Sequence, residues 1–143
     1  MMKLASRVWV ECFQYPTEDP EKVSKAIETV SGEPATSKKE YESVHGPKFW
    51  LLSFETGKQA GIRKVLENIL LGLSEEEIAQ IKETLEERIS SDGVLHIRLD
   101  KQLASQGKIC LGKGGDVVKV RIKLAAYPAS RENLLKAAEG LLS

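Results

Sequence analysis

The sequence predicts an α+β fold in one domain, residues 1–143, built on a mostly antiparallel sheet of about six strands with helices packed on one face. Three observations predict it. Residues 94–100 and 117–124 alternate apolar and basic side chains, the pattern of half-buried strands. Residues 62–73 place Ile62, Val65, Leu66, Ile69, Leu70 and Leu73 at helical spacing. Connections late in the chain are short enough for hairpins, whereas helices separate the earlier strands. With 143 residues, 41% of them hydrophobic, the chain can build one core of ordinary size.

Element by element, residues 7–13 alternate around Val8, Val10 and Cys12 and read as the first strand. Thr17, Glu18, Asp19 and Pro20 then supply capping oxygens, acidic residues for the positive helix end and a proline tolerated in the first turn. Val23, Ala26, Ile27 and Val30 share one face of that helix, which Ser31-Gly32 ends. Two strands follow at about residues 36–44 and 48–55, joined by a turn at His45-Gly46-Pro47. The helix over 62–73 ends near Gly72. Ser74-Glu75-Glu76-Glu77 is a capping box, opening a second helix whose buried stripe is Ile78, Ile81, Leu85 and Ile89. Asp92-Gly93 breaks to the strand over 94–100. A short strand over 108–111, a turn at residues 112–116 and the long strand from 117 complete the sheet. Tyr127-Pro128 stops it, and Ser130 caps a final helix with Leu134, Leu135, Ala138, Leu141 and Leu142 on its apolar side. Tyr127 itself is expected to pack where strand meets helix, with its hydroxyl hydrogen-bonded.

The chain carries 21 basic and 21 acidic residues, but charge is sorted along it. Residues 91–128 hold seven Lys or Arg against three Asp, while residues 67–90 hold two basic residues against seven Glu. Strand alternation collects His96, Arg98, Lys119, Arg121 and Lys123 on the sheet face opposite Leu95, Ile97, Leu99, Val118, Val120 and Ile122. Cations on a sheet neutralise phosphates, and aromatic neighbours, here Trp9 with Phe13 or Trp50 with Phe54, offer planes on which unpaired bases stack. The plainer alternative is a solvated sheet face whose charges pair with the glutamate-rich helix as weak surface ion pairs. Lys113-Gly114-Gly115, with Lys101 and Lys108 nearby, can bring backbone amides to a phosphate, though it matches neither a P-loop nor a dinucleotide fingerprint.

An enzyme is not expected. There are two histidines, His45 in a turn and His96 on a strand, and the aspartates are scattered, so neither a metal centre nor a cofactor site is predicted. Asp100 with His96 and Lys113 would be the place for a small-molecule site. Cys12 and Cys110 sit in separate apolar runs and read as buried thiols. No run approaches a membrane span and no secretory leader is visible, so a cytoplasmic location with no membrane partner is expected.

Leu73-Ser74-Glu75-Glu76-Glu77, the segment His96 to Lys101 with its Arg98, Asp100 and Lys101, the strand Asp116 to Lys123, and Ala125-Ala126-Tyr127-Pro128 followed by Arg131 together resemble the archaeal family described as a predicted exosome subunit or RNA-binding protein. The resemblance runs over nearly the whole chain. It implies an α+β fold similar to that of a ribosomal protein that binds ribosomal RNA, or to double-stranded-RNA-binding domains. It also implies a non-catalytic RNA-binding function, with structured RNA such as ribosomal or transfer RNA as partner, in association with exosome-type RNA processing or translation. Arg98, Lys101, Lys119, Arg121, Lys123, His96 and Lys113 are the expected RNA contacts; phosphate contacts of this kind set affinity and register without reading sequence. The competing expectation is a protein-interaction adaptor in an RNA-processing assembly, docking through an apolar patch around Trp50, Phe54 or Trp9. A homodimer is compatible with either.

Overall fold

The computed structural model describes residues 3–143. Alternation dictates the strands: β1 (Ala5–Gln14), β2 (Ser37–Glu42), β3 (Lys48–Thr56), β4 (Val94–Asp100) and β5 (Val117–Leu124) form one sheet in the order β2-β3-β1-β5-β4. Every neighbouring pair is antiparallel. Val10 on the central strand lies between Phe54 of β3 and Val120 of β5, so the apolar sides of three strands merge into one floor.

The helices cover that floor because their stripes match it. α1 (Pro20–Ser31) starts on Asp19, whose side chain accepts the Glu21 N–H, and buries Val23, Ala26, Ile27 and Val30. α2 (Gln59–Gly72) buries Ile62, Val65, Leu66 and Ile69, and α6 (Arg131–Leu141), capped by Ser130, buries Leu134, Ala137 and Ala138. These join Leu95, Ile97, Leu99, Ile122 and the β1 valines in one continuous core. Each fully buried Leu or Ile contributes roughly 1.5–3 kcal/mol by removal from water. The α+β class and the antiparallel sheet are as expected. Among the described residues, no helix is long and apolar enough to cross a membrane.

Three local differences matter for the site. The helix expected from Ser74 to Ile89 is two, α3 (Glu75–Glu83) and α4 (Leu85–Arg88), because Thr84 leaves helical geometry and its hydroxyl donates back to the Gln80 carbonyl at 2.7 Å. Ile81, Leu85 and Ile89 are all buried, but Ile89 is extended and bridges to Leu95. The expected strand over 108–111 contributes a single bridge, Leu99 to Leu111, flanked by the Gly112 N–H on the Arg98 carbonyl at 3.0 Å and the Asp100 N–H on the Cys110 carbonyl at 2.9 Å, while the Leu111 N–H points the other way and donates at 2.7 Å to the Glu77 carboxylate. Glu77 thus closes its capping box on Ser74 and anchors α3 to this segment. Finally, β4 runs directly into a short helix, α5 (Lys101–Ser105), started by Asp100, whose carboxylate accepts the Leu103 N–H at 2.9 Å.

Candidate nucleic-acid interface

The face of the sheet away from the core is organised by register. Trp9, Arg121 and His96 form one cross-strand row over β1, β5 and β4, and Glu11, Lys119 and Arg98 form the next. Five of the basic residues expected there, His96, Arg98, Lys119, Arg121 and Lys123, do share this face, but they are not equivalent. Arg121 is committed: its Nε donates to Glu11 at 2.9 Å and its guanidinium lies 4.9 Å over the Trp9 ring. Lys123 donates to the Asp92 carbonyl. Lys119 is exposed with no partner among the described residues, and Arg98 has only a long 3.4 Å contact to the Gly114 carbonyl. Burial, then the charge of Arg121 across the row, holds the His96 pKa below its ordinary value, the opposing pull of Asp92 being smaller, so the imidazole is neutral at physiological pH. Lys113 is exposed in the loop between α5 and β5, in line with the expected placement.

Beyond β1 the same face becomes aromatic. Phe13 meets Phe49 edge-on at 5.7 Å, Phe49 stacks on Tyr41 at 5.4 Å, and Tyr15 closes the group 6.1 Å from Phe49. Of the two aromatic pairs the sequence suggests, Trp9 and Phe13 lie here, whereas Phe54 is buried in the core and Trp50 packs against it. Tyr15, Tyr41 and Phe49 are not singled out by sequence. Their side of each strand is legible from alternation, but their meeting depends on the register that sets Tyr41 opposite Phe49.

At the other end, the α3–α4 arm reaches past β4 and makes an outer wall. Between it and the sheet runs a groove of about 880 Å³ with Phe13, His96, Arg98, Lys119 and Arg121 on the sheet side. Gln80, Thr84, Glu87, Arg88 and Ser90 line the helix side. Arg88 is oriented by a 2.7 Å hydrogen bond from its Nε to the Thr84 hydroxyl, so the break that ends α3 also places a groove cation.

Two expectations are corrected. Lys101 does not reach a phosphate-facing surface: it is 2% exposed, and its Nζ donates to the Phe13 carbonyl and Glu18 at 2.9 Å and to Asp116 at 2.8 Å. The turn into α5 points it inward, and three acceptors use its three protons. Burial alone disfavours its charge, yet the hydrogen bonds and charges of Asp116 and Glu18 outweigh this and hold the ammonium pKa above its ordinary value. Asp116 is correspondingly held low by Lys101 and Gln102 despite its own partial burial. Tyr127, expected to be packed, is instead 99% exposed, and the loop is held next to it by the Asn133 amide, which donates to the Pro128 carbonyl at 2.9 Å. Arg131 donates to the Ile89 carbonyl at 2.8 Å and to Glu86, tying α6 to the end of the groove wall. No group of three or more His, Cys, Asp or Glu suited to a metal occurs among the described residues. Cys12 is buried, and burial pushes its thiol up to about 12.

A one-sided antiparallel sheet, helices on its apolar face and cations beside aromatic rings on the other, defines a sheet-platform α+β protein of the kind that receives nucleic acid. Residues 7–124 match the family model described as RNA binding, and the chain belongs to that family. It is 36% identical to the RNA-binding protein PAB1135 of Pyrococcus abyssi over 93% of this chain and 90% of that one. It is also 30% identical to UPF0201 protein MK0399 of Methanopyrus kandleri, over 96% and 85% of the two chains. Among solved structures it is similar to protein AF2318 from Archaeglobus fulgidus, described as DUF54, with a TM-score of 0.86 at 36% identity over 96% of this chain and 99% of that chain. The DUF54 protein Mth689 from Methanothermobacter thermautotrophicus gives a TM-score of 0.82 at 28% identity, over 99% and 100%. The relatives are archaeal.

Proposed function

We propose that the protein binds structured RNA, such as ribosomal or transfer RNA, through the open sheet face, and that it does so without catalysing a reaction. The observation that carries this reading is the pairing state of the cations. Arg98 and Lys119 face one another across β4 and β5 with their charges uncommitted, whereas Arg121 and Lys123 are already engaged. An unmatched pair of cations at adjacent register positions is the arrangement that releases counterions from a phosphate backbone. Arg98 and Lys119 are therefore the principal phosphate contacts, with Lys113 in the adjoining loop, and Arg121, Lys123 and His96 as secondary ones. A binder is favoured over an enzyme because the groove's histidine has Arg121 rather than an orienting carboxylate as its cross-strand neighbour. Association with exosome-type RNA processing or translation, which the family resemblance suggests, is proposed as the setting in which the bound RNA is used.

The test is a salt series of binding to transfer RNA, a plain duplex and a single strand. A slope of log affinity against log salt corresponding to about three to five phosphates supports the sheet face as the site. No binding at low salt would sink the reading.

A further inference from the structure

The two walls of the groove differ chemically. On the sheet side the charge is net positive, Arg121 being matched by Glu11 while Arg98 and Lys119 are not. On the helix side Glu87 balances Arg88, and the Gln80 amide and Glu87 carboxylate are exposed with no side-chain hydrogen bond among the described residues. Such a polarity orients whatever enters: phosphate toward the sheet, hydrogen-bonding edges toward the helices. Size narrows the choice further. A double helix does not enter a groove of about 880 Å³, but that volume lies in the range that buries most of a single small ligand.

We infer that the groove takes one unpaired nucleotide projecting from a structured RNA, its phosphate on Arg98 and Lys119 and its base edge on Gln80 and Glu87. This rests on the reading of the open face as the RNA site and adds to it which part of the RNA is recognised. A carboxylate accepts hydrogen bonds and donates none, so Glu87 favours a base that presents donors. Guanine offers two adjacent N–H groups on its Watson–Crick edge, whereas uracil offers one donor between two carbonyl oxygens that the carboxylate repels. Guanine is therefore the preferred occupant, with Gln80 as the adaptable partner for its remaining acceptor.

The experiment compares three hairpins with the same stem at one salt concentration: fully paired, with a single bulged guanosine, and with a single bulged uridine. The bulged-guanosine hairpin is expected to bind about tenfold tighter than the fully paired one, the size of a good bidentate base contact, with bulged uridine in between. Glu87→Gln is expected to erase the guanosine-over-uridine difference by weakening the bulged-guanosine hairpin and, with the repulsion of the uracil carbonyls relieved, strengthening the bulged-uridine one. Equal affinity for all three hairpins overturns the groove assignment and leaves the RNA-binding face standing. A bulge preference that ignores the base, or a guanosine preference that survives Glu87→Gln, overturns the role given to Glu87. Binding of none of them removes both readings.

Discussion

Arg98 and Lys101 are both basic, sit three residues apart at the end of one strand, and have opposite fates. Arg98 stays on the open face with its guanidinium almost free; Lys101 turns inward through α5 and is saturated by Phe13, Glu18 and Asp116. The residue between them that decides this is Asp100, whose capping bond starts the helix. The difference teaches that a basic residue in a strand-end motif is a ligand for phosphate only if the fold leaves its protons unspent. The same test separates Lys119 from Arg121 two residues further along β5.

That contrast can be broken at several points. The largest effect belongs to Lys101→Met, which strands two carboxylates and a carbonyl around an apolar side chain. Unfolding in urea is expected to show a loss of about 3 kcal/mol, with the salt slope of RNA binding unchanged in the folded protein. A cost near zero would mean that the buried cluster is not the structural element described here. Next come Arg98→Ala and Lys119→Ala, each expected to lower the salt slope by about one while altering stability by no more than about 0.5 kcal/mol. If either variant unfolds instead, the division between structural and binding cations is wrong.

Titration sharpens the comparison further. Because Asp116 is held below its ordinary 3.8, it adds stability above that pH which is lost as pH falls through its lower folded value. Lys101, held above 10.5, adds stability below that pH which is lost as pH rises through its higher folded value. Cys12 acts in the same alkaline direction, since the unfolded thiol ionises from about 9.0 while the buried one resists to about 12. The stability curve should therefore fall at both ends, and the acid limb should flatten in Lys101→Met, as followed by thermal unfolding. The smallest effect is expected from Tyr127→Phe: with the ring exposed, stability should stay within about 0.5 kcal/mol of the parent. A larger loss would require a partner for the Tyr127 hydroxyl that the fold does not provide.

Much of the open face is legible in the sequence because strand alternation needs no tertiary knowledge. The sides on which His96, Arg98, Lys119 and Arg121 fall follow from period two alone. What is not legible depends on distant or short-range geometry. α5 has five residues, too few for a helical period, so the inward turn of Lys101 has no local signal beyond Asp100. Its acceptor Glu18 lies 83 residues away. The apolar spacing correctly marks Ile81, Leu85 and Ile89 as buried, with Ile78 only partly so, yet runs straight through the break at Thr84, because hydrophobic period reports burial and not helix continuity. The aromatic group needs the register of β2 on β3, and the groove needs the α3–α4 arm to be placed beside β4; neither is written in any one segment.

The sheet order carries one more consequence, for how the molecule is made. β1, the first of these five strands in chain order, occupies the centre and has β5 as a neighbour, with Glu11 opposite Lys119. Such distant pairings have to meet a loop-closure cost before they return any contact energy, which places the chain among slower-folding topologies. On a translating ribosome, where domains are completed at about 5–20 residues per second, β1 can pair with β3 early but waits with its other edge open until β5 has emerged. The cationic face therefore comes into existence late and all at once, and a truncated chain ending before residue 117 would lack Lys119 and Arg121 and leave the central strand's edge unpaired.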